Sequence, residues 1–468
     1  MFSEFKYQDL EVRSLPPAHH WKKALGVGIV VMGLAIGTGE LIMWPHLVAK
    51  FGLSILWGAF VGITFQYFIN QEVARQTIAT GESFFTYSAR KFPYLVPVWL
   101  ISAFLLYIWP GWATAIGTIL SALFGFGNYM YWAWASLGLM LVFVFLGKIA
   151  YVALERTLKI IVPTFFSLLV VISFLSLKSE HIIGAIKGLF NFGFLPPEMD
   201  IAVFLGATVF AGAGGLLNLC VSLWYRDKGI GMGHYVGKIV NPITGTPEAV
   251  SATGYRFEIN DENMANWKKW MRFIRIDQGI IFWFLGLTTL VLLSANAFAI
   301  LTPKGLVPEG LQVAVTQANI FGEYWGVAGY KLFLFMAFLM LFSVMWTVVD
   351  ALTRIIVDII YVNSRTGPYQ KYLHKISKVS IHYLYYILIV LFVLLSALLI
   401  PLKQPLIFLT ISSVLGGFMM ALYIPVILYM NNKVLPKELR PGLITNLFLL
   451  LGFIFYAFFS VMLIAGLF

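Results

Sequence analysis

The chain has 468 residues, 60% of them hydrophobic and only 11% charged, which excludes a soluble domain of this size. Apolar runs of roughly 18 or more residues recur along its length, so an all-α polytopic membrane protein is expected, and not a β-barrel with its shorter alternating strands. The net charge of +11 could suit nucleic acid, but the basic residues are not gathered into a soluble domain and no nucleic-acid partner is expected; the single cysteine, Cys220, excludes an intramolecular disulfide and a cysteine-based metal site.

Residues 1–23 read as a polar cytoplasmic arm. Glu4, Asp9, Glu11 and Arg13 leave no early apolar core, so the arm is not a signal peptide. Eleven transmembrane helices then follow. Their expected ranges are 24–48, 54–79, 96–123, 130–149, 157–177, 201–224, 274–299, 327–355, 380–401, 405–430 and 443–467. Lysine and arginine set the orientation. With the N-terminus inside, the outer loops hold only Lys50, Lys178, Lys187, Lys304 and Lys403 of the 32 basic residues. The C-terminus then lies outside.

Helix 1 is interrupted. Its middle reads Ile36-Gly37-Thr38-Gly39-Glu40. Glycine costs about 1 kcal/mol relative to alanine inside a helix, and a carboxylate at membrane depth costs more. A helix carrying both reads as broken around a binding site. Glu40 would ligate a cation or carry a proton; its plainer role is to cap the second half-helix and complement that dipole.

In helix 2, Gln66 falls near mid-membrane and must have a partner. Glu72 and Arg75 share a face near the inner end, as an ion pair or part of an inner gate. In helix 3, Trp109-Pro110-Gly111 would kink the chain.

Helix 6 is interrupted as well. It runs through Phe210-Ala211-Gly212-Ala213-Gly214-Gly215, with Asn218 about two turns beyond Gly212. Two broken helices, each first in a set of five, point to an inverted-repeat transporter. The repeats span 24–177 and 201–430, and 431–468 adds a link and an eleventh helix. An odd number of spans per set inverts the second against the first, so both breaks can meet at the midplane.

The cytoplasmic loop 225–273 ends in Trp267-Lys268-Lys269-Trp270-Met271-Arg272, which reads as a membrane-surface anchor. The outer loop 300–326 carries Pro303, Gly305 and Pro308, then a short amphipathic helix. On helix 8, Asp350, Arg354 and Asp358 are spaced by four and read as a solvated ladder facing the cytoplasmic vestibule. His234 and His382 are isolated and are not expected to be ligands.

Several stretches resemble the natural-resistance-associated macrophage protein (Nramp) family of metal transporters. They are Phe51-Gly52-Leu53-Ser54-Ile55-Leu56-Trp57, Ile78-Ala79-Thr80-Gly81, Gly206-Ala207-Thr208-Val209 and Ile424-Pro425-Val426-Ile427-Leu428-Tyr429-Met430-Asn431. The resemblance covers about residues 25–440 and implies the leucine-transporter fold and a secondary transporter of a divalent metal cation. The family's metal motifs are replaced: Gly37, Thr38, Gly39 and Glu40 stand for Asp-Pro-Gly-Asn, and Phe210, Ala211 and Gly212 for Met-Pro-His. Gly111 and Thr114 stand for the acidic pair of helix 3, and about Phe418 for the glutamine of helix 10. The soft thioether that favours transition metals is absent.

Substrate contacts are therefore expected from Gly37, Thr38, Gly39, Glu40, Phe210, Ala211, Gly212, Ala213 and Asn218, with Glu40 as the one metal ligand. Gln66, Glu72, Arg75, Thr114, Asp350 and Arg354 are expected along a gate or ion pathway. A hard cation such as Mg²⁺, which keeps several waters, is the first reading of the cargo. The second is a small organic solute, and the third a transport-inactive sensor or scaffold using loop 225–273. No catalytic constellation is present, so an enzyme is not expected. No cofactor is expected, and the chain should work in the bilayer as a monomer.

Overall fold

The computed structural model describes residues 6–18, 26–307, 312–402 and 405–466. Residues 24–25 of expected helix 1, Pro308 and Lys403 lie outside them. Among the described residues, ten helical segments are long and apolar enough to cross a membrane. Helix 6 is not one of these, because its halves Ile201–Val209 and Leu217–Asp227 are too short to be counted singly.

Both expected breaks are present. The first half of helix 1, Val27–Ala35, ends at Ile36-Gly37, and the second half opens as a wide π-helical turn, Thr38–Met43, before Trp44–Phe51. Helix 6 is open from Phe210 to Leu216. Gly214 and Gly215 there have φ of 72° and 53°, left-handed values that a side chain would strain. Helix 2 is unbroken over Trp57–Thr80. Helix 3 is divided into Leu95–Tyr107 and Gly111–Phe124 at the Trp109-Pro110 step, because proline cannot extend the preceding hydrogen-bond ladder.

Helix 7 is longer than its apolar run. The amphipathic helix Asp261–Ile276 continues through a π-helical stretch, Asp277–Phe284, into Leu285–Leu301. Its tryptophans do not anchor it to lipid. Trp267 and Trp270 are buried within the protein, and Trp270 Nε1 donates to the Pro16 carbonyl at 2.9 Å. The N-terminal arm covers this helix instead of lipid.

That arm packs against the loop between helices 6 and 7. Glu11–Val12 pairs in parallel with Tyr255–Arg256. Leu15 N–H donates to Asn263 Oδ1 at 2.9 Å, Tyr235 hydroxyl to the Ser14 carbonyl at 2.9 Å, and Tyr7 hydroxyl to Asn363 Oδ1 at 2.8 Å. The arm thus touches loop 225–273, helix 7 and the end of helix 8. Helix 8 belongs to the helical run Gln312–Arg365, divided at Gly326 (φ 58°) from the short helix before it. Helix 11 is Leu443–Ala465.

Candidate functional site

The two breaks meet. A Cβ built on Gly39 would lie 1.8 Å from the Phe210 carbonyl oxygen, so the backbones of helices 1 and 6 are in direct contact and only glycine fits. Gly37 is pressed against helix 8, where a Cβ would lie 2.4 Å from Val344 Cγ2. Beside this contact is a cavity with about 210 Å³ of space between atoms. Gly39, Phe210, Gly212 and Ala213 line it, as the sequence suggests. So do Leu34, Ala35 and Leu217 from the same two helices, Trp112 from helix 3, and Val344 and Val348 from helix 8. All of these residues are buried. Among the described residues, no charged side chain lines the cavity.

Glu40 is fully buried but is not among the lining residues. Its Oε2 accepts the Gly37 N–H at 3.2 Å, which closes the first turn of the second half-helix; its Oε1 has no hydrogen-bond partner among the described residues. The side chain of Thr38 lies outside the described residues. Ala211 is buried in the break without lining the cavity.

Helix 2 and helix 3 satisfy the opened backbone of helix 6. Gln66 Nε2 donates to the Val209 carbonyl at 2.8 Å, and Gln66 Oε1 accepts the Gly214 N–H at 2.8 Å. Tyr107 hydroxyl accepts the Leu217 N–H at 3.1 Å. One amide side chain thus bridges both lips of the break, which is the partner that mid-membrane Gln66 required. Asn218 turns away from the cavity toward helix 2, where its Nδ2 donates to Asn70 Oδ1 at 2.9 Å. Thr114 bonds back to the Pro110 and Gly111 carbonyls, both at 3.0 Å, and is not among the lining residues.

The remaining residues expected along a pathway are held in buried ion pairs. Asp350, Arg354 and Asp358 are not a solvated ladder. Each is at most 2% exposed, because the end of helix 6 covers them. Arg354 pairs with Asp227 and with Asp350, the latter at 2.6 Å, and Arg226 pairs with Asp358. Trp224 Nε1 also donates to Asp350 at 3.2 Å. Elsewhere, Arg75 and Glu72 form a buried pair at 2.8 Å, tied to Asn431 Nδ2 at 2.9 Å from Glu72 Oε2 and to the Leu439 carbonyl at 3.0 Å from Arg75 Nη1. Near the helix 1 break, Gln317 Nε2 donates to the Leu41 carbonyl at 2.5 Å.

Tyr107, Trp112, Val344 and Val348 escape sequence reading. An apolar or aromatic residue in a membrane helix carries no mark distinguishing a cavity wall from ordinary packing. Among the described residues, no group of three or more His, Cys, Asp or Glu is placed to hold a metal ion.

No protein-family model matches the sequence, and no curated protein matches it. Solved structures do. The chain superposes on a manganese transporter of Eremococcus coleocola with a TM-score of 0.63 at 14% identity, over 99% of this chain and 91% of that one. It matches MhsT in complex with L-phenylalanine at TM-score 0.54 and 15% identity, covering 95% and 98% of the two chains. It matches Mhp1, a nucleobase-cation-symport-1 family transporter with bromovinylhydantoin bound, at TM-score 0.53 and 13% identity, covering 93% and 83%. At such identities the likeness speaks for fold alone. The fold is that of the leucine transporter, in an integral membrane protein.

Proposed function

We propose that this chain is a secondary transporter that moves a small, largely uncharged organic solute by alternating access around the contact between helices 1 and 6. One observation carries the reading: the cavity at that contact is walled by apolar side chains and backbone. Such a wall stabilises apolar surface taken from water. It is a poor exchange for the hydration shell of a divalent cation, which needs several oxygen or nitrogen ligands.

A second reading, a divalent cation as cargo, is favoured by Glu40. Its Oε1 is buried and, among the described residues, has no hydrogen-bond partner at the helix 1 break, where a cation would find a carboxylate. The resemblance to the Nramp family points the same way.

Two panels on purified protein in detergent and in proteoliposomes separate them. The organic reading predicts thermal stabilisation by particular neutral or zwitterionic solutes without added metal, and solute uptake into vesicles. The cation reading predicts saturable Mg²⁺ or Mn²⁺ flux that Glu40→Gln abolishes. Failure of both panels, from protein that folds normally, overturns the transporter reading in favour of a sensor or scaffold.

A further inference from the structure

A continuous chain of side-chain hydrogen bonds leaves the helix 6 break and ends at the start of helix 1. Gln66 holds both lips of the break, and Asn218 Nδ2 lies 3.4 Å from Gln66 Oε1. Asn218 donates to Asn70 at 2.9 Å, Asn70 Nδ2 to Gln278 Oε1 at 3.1 Å, and Gln278 Nε2 to the Tyr225 hydroxyl at 3.0 Å. Tyr225 hydroxyl in turn donates to Asp277 Oδ2 at 2.8 Å. The same Asp277 oxygen accepts the Gly28 N–H, also at 2.8 Å, in the first turn of helix 1. All six side chains are fully buried.

The far end is built as a grip. The N-terminus of a helix attracts negative charge, and Asp277 supplies it to the first half of helix 1. Asp277 Oδ1 has no hydrogen-bond partner among the described residues. The fit leaves no slack: a Cβ at Gly28 would lie 2.6 Å from the Asp277 carbonyl oxygen. Two residues earlier in the chain, a Cβ at Gly26 would lie 2.0 Å from both Glu155 Oε1 and Lys228 Nζ, which pair with each other at 2.7 Å. Asp277 and Gln278 also open the π-helical stretch of helix 7, a widened turn of a kind often found at functional positions.

We propose that Asp277 is a clasp on the first half of helix 1, and that the Gln66–Asn218–Asn70–Gln278–Tyr225 chain makes its hold depend on the state of the helix 6 break. These are positioning residues for the transport cycle and touch no cargo. Both ends of the chain are bistable elements, a broken helix and a short half-helix held at its end, and both can move without unfolding the bundle. A change in the break alters what Gln66 can bond; the amides re-pair along the chain; Tyr225 then yields or keeps its bond to Asp277. Opening toward the cytoplasm requires the clasp to let go. This inference rests on the transporter reading, but its test does not.

The test reads cytoplasmic exposure of helix 1 without any solute. In a Cys220→Ser background, Val31→Cys places one thiol at a buried position of the first half-helix. The readout is its labelling rate by a maleimide in proteoliposomes. Asp277→Asn should raise the rate about tenfold, Tyr225→Phe about threefold, and Asp277→Glu should restore much of the protection. Gln66→Leu, at the opposite end, should raise it too, and the Gln66→Leu/Asp277→Asn pair should exceed neither single variant by much. Unchanged labelling in folded Asp277→Asn overturns the clasp. Strictly multiplicative effects of the pair overturn the connection between the ends. If Asp277→Asn does not fold, Tyr225→Phe, which deletes one hydroxyl, carries the same test. A negative flux panel would leave these labelling outcomes standing, so the two failures are distinguishable.

Discussion

Gly39 and Gln66 carry the site at the scale of single residues, and they do so differently. Gly39 acts by being absent as a side chain, since the Phe210 carbonyl occupies the place of its Cβ. Gly39→Ala should therefore force helices 1 and 6 apart, at a cost of about 1–3 kcal/mol, seen as a lowered Tm in detergent and loss of transport. Gln66 acts by pairing. Gln66→Leu leaves the Val209 carbonyl and the Gly214 N–H without this partner, at a cost of about 1–3 kcal/mol for each group left unsatisfied. A milder loss, about 1 kcal/mol, is expected for Tyr107→Phe, which removes the acceptor of the Leu217 N–H. The same Tm measurement ranks all three. Sequence reading reached Gly39 and Gln66 because glycine and a side-chain amide are costly inside a membrane helix and demand a reason. It missed Tyr107, since a tyrosine near a helix end is also what a membrane interface favours.

At the scale of elements, most boundaries were legible and most coverings were not. Glycine runs located both breaks, and Pro110 located the division of helix 3. The spacing of Asp350, Arg354 and Asp358 correctly puts them on one face. Spacing says nothing about what lies over that face, and the end of helix 6 turns an expected solvated ladder into a buried network with Arg226 and Asp227. This changes the expected consequence of mutation. A solvated pair contributes at most about 1 kcal/mol, whereas removing one partner of a buried network leaves an uncompensated charge and costs on the order of 3–5 kcal/mol. Arg354→Gln should thus abolish stable folding or sharply lower the Tm. Lys159→Gln, which removes a half-exposed partner of Glu155, should change it little.

At the scale of the molecule, the order of spans was visible in hydropathy and the two repeats in the paired helix breaks, but the role of the N-terminal arm was not. A two-residue strand has no periodicity to read, and its partner, Tyr255–Arg256, lies far along the chain. The arm joins parts that are otherwise separate in sequence: the loop between helices 6 and 7, the start of helix 7, and the end of helix 8. Deleting residues 1–18 should lower the Tm and speed limited proteolysis within 229–260, while the helical content of the bundle, read by circular dichroism, stays near that of the full chain. Retained loop protection after the deletion would mean that the loop holds its shape alone.

The contact between Gly39 and the Phe210 carbonyl also behaves as an end-stop. Two backbones already touching can be driven apart but not closer, so the space beside them is near the smallest this scaffold can make. Discrimination by size should consequently be lopsided. Undersized solutes forfeit contacts a little at a time, and each oversized one must spread the same pair of helices against the rest of the bundle. A homologous series of increasing bulk should show a gradual rise in affinity followed by an abrupt fall.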